Sequence, residues 1–130
     1  MSVKLDMIGI TAADVDASLA FYRALGLGAP ESSGGEPYVE ITLDGGIRIS
    51  WNALSMVKEI DPEWEEPKGQ RIGLAYLCES PDEVNQRHDA LVTAGYQSHK
   101  APWDAFWGQR YAQVLDPDGN VVDLFAHLPA

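Results

Sequence analysis

Apolar positions along the chain switch between a period of two and a period of about 3.6, and the switches divide it into strands and helices. Residues 3–11 read as a strand. Ala13-Asp14-Val15-Asp16 opens a helix, with Asp14 as its N-cap. Val15, Leu19, Tyr22 and Leu25 recur at helical spacing, and Gly26 stops the run. Residues 31–36 are a Ser/Gly loop. Residues 38–43 alternate, Asp44-Gly45-Gly46 turns the chain, and residues 47–52 return, which makes a hairpin. A short helical piece over 53–58 leads into a joint, 59–70. There Glu59, Asp61, Glu63, Glu65 and Glu66 surround Trp64, among Pro62, Pro67 and Gly69.

The order then repeats. Residues 71–77 read as a strand. Ser80 caps a helix with Pro81 at its first position, and Val84, Arg87 and Leu91 carry it to Gly95. A loop over 99–108 holds Pro102, Trp103, Phe106 and Trp107. Strands over 110–115 and 121–126 flank the turn Asp116-Pro117-Asp118-Gly119-Asn120. The halves also echo in letters: Ile8-Gly9-Ile10 matches Ile72-Gly73-Leu74, and Leu43-Asp44-Gly45-Gly46 matches the later Leu115–Gly119 run. One domain of two modules follows, 1–58 and 71–130, around the joint.

Strand alternation separates two faces. Ile8 and Ile10 point one way, Met7, Gly9 and Thr11 the other. Ile72, Leu74 and Tyr76 oppose Arg71, Gly73 and Ala75 in the same manner. The apolar sets belong under the helices. The small residues opposite suit either a cavity or tight backbone packing.

Composition narrows the functional classes. A chain of 130 residues, 45 % of them apolar, folds without a metal or disulfide. Nine Lys+Arg against twenty Asp+Glu give −11, which argues against a nucleic-acid partner. Such acidity either draws a cationic ligand or serves solubility. Cys78 is the only cysteine and reads as a buried strand-end thiol. No apolar run is long enough for a membrane span, and the first residues lack a signal-peptide layout, so a cytoplasmic protein is expected. His88, His99 and His127 have no ligand spacing and read as surface residues, His88 on the outer face of its helix. No nucleophile elbow or phosphate loop is present.

Asp14, Ser18, Phe21-Tyr22 and Leu25-Gly26-Leu27, with Trp107-Gly108-Gln109-Arg110-Tyr111 and the run from Asp116 to Leu124, resemble the vicinal-oxygen-chelate superfamily of glyoxalase I, extradiol dioxygenases and bleomycin-resistance proteins. The resemblance spans nearly the whole chain. It implies an α+β fold of two tandem βαβββ modules whose curved sheets form a cup, completed in a homodimer. Metallo-enzymes of this family place His, Glu or Gln at four equivalent strand positions. These fall here on Met7, on Ile49 or Ser50, on Arg71 and on Asp123. One carboxylate beside a cation is a salt bridge rather than a divalent-ion site, so no metal and no cofactor are expected. Arg71 would pair with Asp123 or with an anionic group of a ligand. A register one residue off would bring in Asp6, Gln70 or Ser50.

Aromatic residues are the stronger clue. Trp51 and Phe125 occupy equivalent strand positions by the repeat and are expected to face the cup; their alternative is the core. Trp103 and Trp107 either shape its mouth or close a dimer interface. The resemblance therefore implies metal-free capture of a small aromatic, cationic molecule, as in the antibiotic-sequestering branch. Trp51, Phe125, Arg71 and Asp123 would carry the site, with Met7 and Ile49 in the lining. On that reading, Trp51→Ala weakens binding and spares the fold. The alternatives are an enzyme of the same superfamily, either a metal-dependent lyase or dioxygenase in the shifted register or a metal-free isomerase or cyclase with Asp123 or Tyr76 as acid/base, and a protein-docking role for the acidic Trp64 loop.

Overall fold

The computed structural model describes residues 2–130, and both helix starts expected from the sequence are built as expected. Asp14 caps α1 (Val15–Leu25), its Oδ1 accepting the Ala17 amide at 3.1 Å. Gly26 ends the helix at φ 121°, donating back to the Tyr22 and Arg23 carbonyls. Ser80 caps α3 (Pro81–Thr93) through the Glu83 amide at 3.1 Å, and Glu83 reaches back to the Glu79 amide at 2.9 Å.

The chain divides into two compact units, 1–66 and 67–130. In the first, β1 (Met7–Ala12) runs parallel to β3 (Arg48–Ala53), and β2 (Tyr38–Thr42) pairs antiparallel with β3. The sheet order is β1-β3-β2, and α2 (Leu54–Ile60) follows β3. Ile10, Ala12, Ile49 and Trp51 are buried on the side of α1, whose Tyr22 ring meets Trp51 edge-on at 5.8 Å. Three described strands stand where the resemblance implies four. The segment before β2 is held as a loop instead: Asp16 captures the Ser33 amide at 2.7 Å, and Gly34 and Gly35 turn at φ 65° and 83°.

The second unit is a complete βαβββ module. Its sheet runs β4-β7-β6-β5, from β4 (Leu74–Leu77), β5 (Ser98–Ala105), β6 (Gln109–Leu115) and β7 (Val121–His127). Beneath α3 lie the buried Ala112, Val114, Val122, Leu124 and Ala126. The α+β class and the two-module plan are thus those of the resemblance.

Three sequence expectations need correction. Residues 99–108 are mostly strand, not loop: β5 pairs with β6, but two register shifts break its alternation and hide it from a period-two reading. Pro102 is tolerated because β5 is an edge strand. Next, β4 starts at Leu74 rather than at Arg71. The Gln70 side chain takes the place of a longer ladder, its Oε1 accepting the Val121 amide at 2.8 Å, and Ile72 is left 81 % exposed. Lastly, His88 is buried on the inner side of α3 with Val84 and Leu91, and its Nε2 meets Ser98 Oγ at 2.7 Å. It pins α3 to β5. Cys78 is buried just beyond β4, and burial, with the Glu83 charge second, pushes its thiol up to about 11.

Candidate functional site

The register of β6 on β7 decides which side chains share a face. Tyr111 lies opposite Phe125, and Gln113 opposite Asp123. On β5, Trp103 lies opposite Tyr111, and Lys100 opposite Gln113. Alternation turns this set away from α3. Two cross-strand rows result: an aromatic row, Trp103–Tyr111–Phe125, and beside it a polar row, Lys100–Gln113–Asp123. Tyr111 stacks on Phe125 at 5.9 Å and 24°, and meets Trp103 edge-on at 5.6 Å. Trp107, in the β5–β6 turn, joins them at 5.4 Å from Tyr111. Its indole N–H donates to Gln109 Oε1 at 2.7 Å, and the Gln109 amide meets His127 Nδ1 at 3.4 Å.

Asp123 is held in place within this surface. Its Oδ2 accepts the Tyr111 hydroxyl at 2.7 Å, and its Oδ1 accepts the Gln113 amide at 2.9 Å. Burial, followed by the hydrogen bond to Asp123 and the Asp123 charge, pushes the Tyr111 phenol up to about 12. The proton is therefore held more tightly in the folded state. Its contribution to stability is whole below the ordinary tyrosine value of 10.0 and is lost as pH rises through about 12. A phenolate absorbance titration, assigned by difference against Tyr111→Phe, is expected to show this residue ionising late. Asp123→Asn should bring it down while leaving it above the ordinary value, because burial is the larger cause.

Of the residues expected from sequence, Asp123, Phe125, Trp103 and Trp107 come together on this face. Arg71 does not join them: it is exposed, precedes β4, and makes no ion pair with Asp123, whose neighbour on β4 is Ala75. Trp51 and Ile49 are corrections. They are 0 % and 2 % exposed and share the inner face with Ile10, against α1. The repeat is the reason. Matching Gly9 to Gly73 makes Thr11 equivalent to Ala75; their partners are Asn52 and Asp123, so Trp51 corresponds to Val122 and not to Phe125. The slip is of three residues, and an odd slip reverses the face. Tyr111, Gln113 and Lys100 share this face and are not among the residues expected on it. Counting back from the Asp116 turn would have placed the first two opposite Phe125 and Asp123.

The outer face of the first unit is polar and self-satisfied. Arg48 binds Glu40 at 2.6 Å and Asp6 at 2.5 Å, and both partners raise its already high pKa. Met7 Sδ accepts the Tyr38 hydroxyl at 3.2 Å, and Asn52 donates to Ser50 Oγ at 3.0 Å. A Cβ on Gly9 would lie 3.1 Å from that Asn52 amide, so the glycine serves close packing at this point. Trp64 lies under the Lys58 ammonium at 5.6 Å.

The donor set does not fit the divalent ion that metallo-enzymes of the resembling family carry. By the register above, the first unit offers a thioether, Met7, and a carboxamide, Asn52, and the second an arginine, Arg71, and one carboxylate, Asp123, already bonded twice. Asp6 and Gln70, one register away, are engaged by Arg48 and Val121. Among the described residues, no three His, Cys, Asp or Glu gather around a point. No described helix is long and apolar enough to cross a membrane.

Comparison with known proteins gives a consistent picture. The profile of the Glyoxalase/Bleomycin resistance protein/Dioxygenase superfamily matches residues 4–124. A glyoxalase/bleomycin resistance protein/dioxygenase family enzyme from Burkholderia phytofirmans PsJN is 24 % identical with a TM-score of 0.82, over 97 % of this chain and 100 % of that one. A glyoxalase-related enzyme from Fulvimarina pelagi is 22 % identical with a TM-score of 0.81, over 95 % and 88 %. The hypothetical protein SA1046 from S. aureus is 17 % identical with a TM-score of 0.79, over 97 % and 95 %. At these identities the likeness is one of fold. No curated protein matches the sequence.

Proposed function

Since the chain belongs to the glyoxalase/bleomycin resistance protein/dioxygenase superfamily, we propose that it captures a small, planar aromatic cation, without a metal, on the outer face of its second module. One observation carries this reading. Trp103, Tyr111 and Phe125 form an unbroken aromatic row, and a carboxylate, Asp123, is fixed beside it by two hydrogen bonds. Rings of this kind stack flat ligands, and a fixed anion orients a positive group. The net charge of −11 adds long-range attraction for a cation. Capture asks for no nucleophile and no proton relay. Homodimer formation, as the family resemblance implies, belongs to the same proposal, with Phe106 and Leu77 as exposed apolar surface beside the site.

Isothermal titration with 9-aminoacridine, a planar cation, tests the reading. Asp123→Asn keeps the side-chain shape and removes the charge; its Oδ1 can still accept the Tyr111 hydroxyl, and its NH2 donates to Gln113 Oε1 once that amide flips. It is expected to weaken binding about tenfold and to leave the melting temperature within about 2 °C. Equal affinity in both proteins, or no binding to either, would overturn it.

The Tyr111–Asp123 bond of 2.7 Å favours a second reading, metal-free proton transfer with Tyr111 as donor and Asp123 as acceptor. Tyr76 takes no part in it. Its side chain shares the inner face with Leu124, and its hydroxyl is buried without a hydrogen-bond partner among the described residues. Turnover of a bound ligand would distinguish this reading from capture.

A further inference from the structure

Lys100 is set apart by its place on the aromatic face. Arg48, Arg87 and Arg110 each hold a carboxylate; Lys100, like Lys58 in the first unit, has no acidic group of the described residues within ion-pair distance. Its ammonium instead lies over the Trp103 ring, 4.2 Å from the centroid. Simple alternation would not put it there. Ser98 faces α3 opposite Val114, and a residue two positions on would face α3 as well. An extra residue between Ser98 and Lys100 turns Lys100 to the outer face, opposite Gln113. A second extra residue, between Lys100 and Trp103, keeps Trp103 on that face too, opposite Tyr111. Bulges re-aim side chains at the cost of ladder hydrogen bonds. Two of them within one edge strand place a cation, free of any acid, at the end of the aromatic row.

We infer that Lys100 is a specificity residue that recognises an anionic group on the aromatic ligand, so that the preferred ligand is an aromatic zwitterion. The inference rests on the capture reading above and refines it. The polar row offers opposite charges at its two ends, Lys100 on β5 and Asp123 on β7, with the Gln113 amide between them. The two strands are separated by two interstrand spacings, about 10 Å. A ring lying along Trp103, Tyr111 and Phe125 would present its positive group to Asp123 and its negative group to Lys100.

The test compares 9-aminoacridine with its 4-carboxylate, which is the same planar cation carrying an added anion. Both are titrated calorimetrically into the wild type and into Lys100→Met, which keeps the aliphatic stem on Trp103. The wild type is expected to bind the carboxylate about fivefold more tightly than the parent. Lys100→Met should abolish that preference by weakening the carboxylate alone, with the parent unchanged or slightly tighter. Equal binding of the two probes by the wild type, or a preference that survives in Lys100→Met, overturns the inference and leaves the capture reading standing. If neither probe binds the wild type, the capture reading fails and takes the inference with it.

Discussion

Trp51→Ala is expected to destabilise the protein by about 3–5 kcal/mol, the cost of emptying a large buried aromatic site. Trp51 is completely buried, packs against Tyr22 of α1, and lies in the sheet between Ile10 and Val39. The loss would therefore fall on the junction of helix and sheet in the first module, and should appear in urea denaturation as a lower midpoint. Trp51→Phe is the informative control. The indole N–H has no hydrogen-bond partner among the described residues, so the phenyl ring gives up volume but no hydrogen bond. It should cost well under half as much. A Trp51→Ala protein with an unchanged midpoint would return Trp51 to the ligand site that its sequence position suggested.

The second large effect is expected at Asp116. This residue is 4 % exposed in the β6–β7 turn. Its Oδ1 accepts the Asp118 and Asn120 amides, both at 2.9 Å, and its Oδ2 accepts the Asn120 side chain at 2.8 Å. Asp116→Ala leaves two backbone N–H groups without that acceptor, for a loss of about 2–3 kcal/mol. Gly119, at φ 84°, completes the same turn. Because this turn sets the register that places Tyr111 on Phe125 and Gln113 on Asp123, the damage should reach the site as well. Denaturation and ligand titration of one sample would show both losses. Lower stability with intact binding would mean that the register is fixed elsewhere.

Much of the fold is legible in the sequence because local chemistry dictates it. Asp14, Ser80 and Gly26 do at the helix ends what their side chains, or the lack of one, allow anywhere. The Asp116 turn is equally local, and it carries the register of the candidate site with it. What stayed hidden depends on pairing between strands. The bulges of β5 erase the alternation that would have announced a strand. Gln70 imitates a backbone ladder, and this ends β4 where its apolar letters continue. His88 is buried among apolar neighbours because Ser98, from another element, satisfies it. Trp51 was misplaced by three residues in aligning the two modules, and in a sheet any odd slip exchanges core and surface. Asp123 and Phe125 share one face of β7, as alternation alone requires, because both stand close to the turn that fixes the register.

The same fold hosts several chemistries, so the function rests on the site and not on the family. The central claim is that ligands meet the outer face of the second module. The most direct measurement uses the indole N–H resonances of the four tryptophans, Trp51, Trp64, Trp103 and Trp107, followed by ¹H–¹⁵N correlation spectra as 9-aminoacridine is added. Trp103 and Trp107 should shift progressively with ligand, while Trp51 and Trp64 stay in place. Unmoved Trp103 and Trp107 signals, or a principal shift at Trp51, would contradict the account.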